Sequence, residues 1–401
     1  MKSSAEISAW IIEAGLAGLP EPDLLREFCE RVVAAGLPLA RAMVGIDTLH
    51  PVHEGRIFRW YRDRTDVTPV SEYGRTGGTR ETEDAWRRSP FYRLIETGSS
   101  LLRRNMARGD PVDFVVLEEL RAEGITDYMA VINRFAAGGV IGEMDCVYSS
   151  WSSDAPSGFS GEEASRLVEL VPSLALAMKS ASLARIAETL VETYLGRDAG
   201  RRVLSGNIAR GIADRIEAAL WYSDLRGYTR ITDTAAPEQV IPLLNDYAEA
   251  VISAIHETGG DVLKLIGDGT LAIFAAKEPG EACACALRAE GLARERVAAL
   301  NRRRTESGLP VTQAYLGLHI GEVFYGNIGS KERLDFTVIG PAVNEVSRIA
   351  AMCRSAERDV LVSSAFATAT LPEDRARLVS VGRYALRGVA RPQELYTLDT
   401  A

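Results

Sequence analysis

At 401 residues the chain is long enough for two cores joined by a connector. Its 46 basic and 55 acidic side chains leave a net charge of −9, which argues against nucleic acid or an anionic membrane as the main partner, since clustered Lys and Arg carry such binding. Hydrophobic residues make up 46% and charged residues 25%, a globular balance, and no run of 18 or more apolar residues suggests a membrane span.

Taken in chain order, the N-terminus carries one Lys and an apolar run broken by Glu13, a poor match to a secretory leader. A helix is expected over 23–35, ended by Gly36 and Pro38, followed by a strand in ARAMVGIDTL. His50 and His53 flank Pro51, a turn rather than a metal pair, and four histidines in all are too few for a zinc-type constellation. A polar, Gly- and Arg-rich stretch covers 71–88, and a helix covers 113–123. DYMAVINRF and VIGEMDCVYSS, on either side of Gly138-Gly139, alternate as antiparallel strands do.

A long helix is expected over 161–195, interrupted at most by Pro172. Its stripe of Leu167, Val171, Leu174 and Met178, continued by Leu183, Ile186, Leu190 and Tyr194, suits either a parallel contact between identical chains or a face of the chain's own core. The order of elements up to residue 178 resembles a GAF domain, an α/β small-molecule sensor. The resemblance implies a regulatory domain over 1–178 with an effector of unknown chemistry; no residue stands out as its ligand. Gly196, Gly200, Gly206 and Gly211 punctuate a helical linker, 179–216, with two short helical stretches.

A second domain, 217–401, alternates strands and helices. AALWYSD reads as a buried strand ending in an acid. A helix over 237–258 carries Val240, Leu244, Tyr247, Val251 and Ile255 on one stripe and stops at Gly259-Gly260. DVLKLIGDGTLAIF reads as a hairpin with its tight turn at Asp268-Gly269. A helix (281–304), a strand (TQAYLGLHIG), a short hairpin (EVFYGNIG), a strand (DFTVIG) and a helix (342–352) complete an α+β fold with helices packed on a mostly antiparallel sheet. The five cysteines, Cys29, Cys146, Cys283, Cys285 and Cys353, are odd in number and scattered. Reduced thiols in a cytoplasmic protein are expected.

Three constellations bear chemistry. Asp224, in WYSDLRGYT, is an acid at a strand end followed by Gly227 and Thr229; it suits Mg²⁺ beside phosphate-facing backbone, or simply caps a helix. Asp268, between glycines on a hairpin tip, suits a metal, or simply makes the turn. Asn344 and Arg348, four apart on one helix face, suit a ribose and a transferring phosphoryl group, or simply form a polar surface.

In this order and spacing the three resemble the catalytic domain of class III nucleotidyl cyclases, over roughly 217–401. The resemblance implies roles residue by residue. Asp224 and Asp268, with Leu225, hold two Mg²⁺ or Mn²⁺ ions per active site. Asn344 and Arg348 act at the transition state, and Gly227, Tyr228 and Thr229 line the substrate. Lys264 falls where adenylate cyclases carry an adenine-reading Lys and guanylate cyclases a Glu. Thr337 takes the second base-reading position, where many members carry Asp, and Arg387 sits near a triphosphate-contacting basic residue. The resemblance implies cyclisation of ATP to cyclic AMP and pyrophosphate, with each active site shared across a homodimer. Rival readings are a guanylate cyclase, against which Lys264 argues, and a non-catalytic nucleotide-sensing module; Gly259-Gly260-Asp261 suggests a diguanylate cyclase only superficially, since those residues end a helix rather than cap a hairpin.

Overall fold

The computed structural model describes residues 4–64, 68–74, 80–136, 141–142, 144–387, 389 and 392–399. Two compact units divide the chain, Met1–Leu190 and Val191–Ala401.

In the first unit, helices α1 (Ser4–Leu16) and α2 (Glu21–Ala34) precede strands β1 (Arg41–Asp47), β2 (Gly55–Tyr61) and β3 (Val70–Tyr73). Helices α3 (Arg80–Arg87) and α4 (Pro90–Thr97), strand β4 (Leu101–Asn105), helix α5 (Val115–Ala122) and strands β5 (Asp127–Arg134) and β6 (Cys146–Ser153) follow. The sheet runs β3-β2-β1-β6-β5-β4 and every described pairing is antiparallel. That makes this unit α+β rather than the expected α/β, since no parallel crossover is present among the described strands. One sheet face packs Phe58 and Trp151 against Phe28 of α2; the other packs Tyr128 and Tyr148 against Phe91 and Leu120. Gly138-Gly139, the expected break between two strands, lies outside the described residues.

Helix α6 (Gly161–Leu195) is continuous through Pro172. Leu167, Val171, Leu174 and Met178 are all no more than 1% exposed and belong to the first unit's own core, with Ile186 buried and Leu183 and Leu190 packed against it. From Leu167 to Ile186 the stripe therefore serves the chain's own core rather than a contact between identical chains, whereas Tyr194 at its end is 81% exposed and lies outside that core. By length and composition α6 could cross a membrane, with a window of mean hydropathy 1.4, but those apolar side chains are the ones that build this core.

In the second unit a single helix, α7 (Arg197–Leu204), stands where two short ones were expected. Strand β7 (Ala213–Leu225), helices α8 (Tyr228–Thr234) and α9 (Pro237–Glu257), and strands β8 (Asp261–Ile266) and β9 (Gly269–Phe274) lead into helix α10 (Pro279–Glu306). Strands β10 (Ala314–Gly329) and β11 (Leu334–Ile339), helix α11 (Pro341–Ala356) and strands β12 (Val360–Ser363), β13 (Leu378–Tyr384) and β14 (Gln393–Leu398) follow. The sheet order is β13-β14-β12-β10-β7-β9-β8, with β11 on β10; β10 and β12 are parallel and the other described pairs antiparallel.

Strand β10 is one long strand, not the expected strand plus hairpin. It pairs with β7 from Ala314 opposite Leu225 to Gly326 opposite Ala213. Gly317 and Gly321 serve helix packing rather than turns: a Cβ on Gly317 would lie 2.6 Å from the Val346 carbonyl oxygen, and one on Gly321 would lie 2.9 Å from the Ala342 Cβ. Those close approaches seat α11 on the sheet. The C-terminal strands β12 to β14 were not anticipated from the sequence.

Candidate active site

Asp224 is the penultimate residue of β7, whose apolar Ala218 to Trp221 bury it centrally in the sheet. Gly227, at φ 70°, turns the chain so that Tyr228 opens α8. The hairpin of β8 and β9 delivers Asp268 alongside. Ile266 pairs with Gly269, so the two turn residues are Gly267 and Asp268, one place earlier than expected. Gly267 takes the left-handed conformation, φ 64°. Gly269 instead approaches the backbone of β7: a Cβ there would lie 3.0 Å from the Ser223 carbonyl oxygen. This close contact brings Asp268 to Asp224, and the Leu225 N–H donates to Asp268 Oδ2 at 3.1 Å.

Burial, together with a hydrogen bond to Asp268 and that residue's charge, pushes the Asp224 carboxyl up to about 6. No basic group is among the causes, so two carboxylates face each other without a protein cation between them. That donor set fits a divalent metal ion, which relieves this repulsion and binds hard oxygen ligands. Among the described residues no cluster of three or more His, Cys, Asp and Glu side chains forms. The Leu225 backbone carbonyl would be a further ligand at the pair, that residue's side chain being buried and its N–H already donated.

Both acids, with Leu225, Gly227, Tyr228 and Thr229, line a cleft of about 1600 Å³. Arg230, Arg354 and Arg358 line it too, and none was singled out from the sequence; a lone Arg on a polar stretch carries no spacing signal. The remaining predicted residues lie elsewhere in the unit. Lys264 extends from β8 to an ion pair with Asp335 of β11, the strand that also carries Thr337. Asn344 is exposed in the first turns of α11, after Gly340 and Pro341. Arg348 follows one turn later, half-buried, with no hydrogen bond or ion pair among the described residues. Neither Lys264, Thr337, Asn344 nor Arg348 lines the cleft that holds the acids. Arg387 is exposed between β13 and β14, in a segment only partly described.

Residues 213–400 match the family model of the adenylate and guanylate cyclase catalytic domain. The C-terminal half is a class III nucleotidyl cyclase catalytic domain. Among relatives, adenylate cyclase 1 of Rhizobium meliloti is 30% identical over 178 residues, 43% of this chain and 26% of that protein. An adenylate cyclase of Anabaena cylindrica is 34% identical over 161 residues, 39% of this chain and 31% of that protein. The chain thus spans about a third or less of the length of these two relatives. The crystal structure of the adenylyl cyclase CyaB from P. aeruginosa aligns with a TM-score of 0.44 at 22% identity, covering 47% of this chain and 97% of that one. The cyclase domain implies a nucleotide substrate, and such domains generally use divalent metals.

Proposed function

We propose that the cyclase domain converts ATP to 3′,5′-cyclic AMP and pyrophosphate, in the cytoplasm, as a homodimer with two shared active sites. The Asp224–Asp268 pair, two carboxylates held together at the rim of a large cleft, carries this reading. Two Mg²⁺ or Mn²⁺ ions bound there would acidify the ribose 3′-hydroxyl and offset phosphate charge. The 3′-oxygen forms a bond to the α-phosphorus, the bond from that phosphorus to the α,β-bridging oxygen breaks, the hydroxyl proton passes to solvent and pyrophosphate departs. Asn344 orients the ribose, and the Arg348 guanidinium meets charge that builds on the α-phosphate. Gly227, Tyr228 and Thr229 position the phosphates, with Arg387 reaching their far end.

The separation of the acids from Lys264, Thr337, Asn344 and Arg348 within one chain supports a site completed by a second copy. So does an apolar surface near Lys264 and Thr337: Leu265, Ile266, Phe324 and Ile339 are each 45 to 55% exposed. Lys264 supports ATP over GTP, because an ammonium donates to an adenine edge and a guanine edge calls for an acceptor there. The first unit, GAF-like in its order of elements, would regulate through α6 in response to a small molecule.

Incubation of the full chain with Mn²⁺ and either ATP or GTP, followed by chromatography of the products, tests this reading. Cyclic AMP with pyrophosphate is expected from ATP, with GTP turned over far more slowly. Cyclic GMP as the main product, or equal turnover of both, would defeat it.

A further inference from the structure

An ammonium on a four-carbon stem is a poorly directed donor, and holding it costs side-chain entropy. Thr337 offers a neutral hydroxyl, which cannot fix a cation as a carboxylate does. The carboxylate comes from elsewhere.

On β8, Val262 pairs with Ala272 and Lys264 with Leu271, so a bulge falls at Leu263. Val262 and Leu263 are 9% and 7% exposed, two successive buried side chains, and the bulge then releases Lys264 toward β11. On β11, Phe336 and Val338 are buried, so the alternation puts Asp335 and Thr337 together on the opposite face. There the Asp335 carboxylate accepts from the Lys264 ammonium.

We propose that Asp335 is a positioning residue for purine recognition, which holds the Lys264 ammonium at the adenine edge from the same strand face as Thr337. The ammonium has three N–H donors. One goes to Asp335, and the other two stay available for ring nitrogens and for Thr337. Asp335 thereby supplies the charge that Thr337 lacks. This inference rests on Lys264 being the adenine reader.

The test uses the full chain and measures, by calorimetry with Mn²⁺, the affinities of 3′-deoxy-ATP and 3′-deoxy-GTP, which cannot cyclise. Asp335→Ala is expected to weaken 3′-deoxy-ATP by about tenfold, the scale of one charge-assisted hydrogen bond. Binding of 3′-deoxy-GTP should change little, and Asp335→Glu should recover most of the loss. Lys264→Ala/Asp335→Ala should be no worse than Lys264→Ala alone. Unchanged or tighter 3′-deoxy-ATP binding in Asp335→Ala, equal losses for both nucleotides, or additive losses in the double variant would overturn the assignment. Because binding is read without turnover, a wild type that selects adenine yet makes no cyclic AMP would sink the cyclase activity and leave the role of Asp335 decided on its own.

Discussion

Asp224→Asn and Asp268→Asn should each lower kcat for cyclic AMP formation on the order of 10³-fold, since loss of a metal carboxylate removes several kcal/mol of charge stabilisation. Each should also make the metal-free protein more resistant to heat. The Asp224 carboxyl is raised from its ordinary 3.8 to about 6 in the folded chain, by burial first and by Asp268 second. Between those values the native state holds a proton that the unfolded chain has released, so stability falls as pH rises through that window and stays lower above it. A neutral Asn removes the repulsion. At pH 7 without metal, Asp224→Asn should therefore melt above wild type, and the difference should vanish near pH 3.5, where both states are protonated. Added Mn²⁺ should raise the wild-type Tm and leave the variant unmoved. Full activity with a normal Tm would remove these acids from the metal site.

Arg348→Ala should lower kcat by about 10²- to 10³-fold, the usual cost of removing one group aimed at developing charge. The half-buried guanidinium has no hydrogen bond or ion pair among the described residues, so the fold does not depend on it and Tm should hold. Arg348→Lys keeps the charge without the planar fork and should recover only part of the rate. Unchanged kcat in Arg348→Ala would take this residue out of the transition state.

The sequence pattern was most legible where local chemistry and tertiary demand agree. The apolar run ending in Asp224, and the helix opened by Gly340 and Pro341, lie where the alternation and punctuation placed them. It was least legible where a glycine served packing. Gly321 read as a strand end, yet it sits mid-ladder in β10 because Ala342 leaves no room for a side chain. The hairpin turn slipped by one residue for a related reason. Gly269 is needed against the Ser223 carbonyl, so the positive φ falls on Gly267 and Asp268 takes the second turn position. The stripe on α6 could serve either of two partners by periodicity alone, and the first unit's core decides between them from Leu167 to Ile186 but leaves Tyr194 exposed. Asp335 escaped notice because its meaning depends on a bulge in another strand, β8, that turns Lys264 toward it.

The central claim is a cyclase site assembled from two copies, and mixing two dead variants tests it most directly. Asp224→Ala and Arg348→Ala homodimers each lack one essential group at every site. In a mixed dimer one site collects both lesions. The other takes its acids from the Arg348→Ala chain and its arginine from the Asp224→Ala chain, and is whole. With equal amounts and free exchange, half the dimers are mixed and each has one working site of two, so activity should recover to roughly a quarter of wild type. Exchange demonstrated by a tag on one variant, with activity still at the level of the parents, would show that the site lies within a single chain.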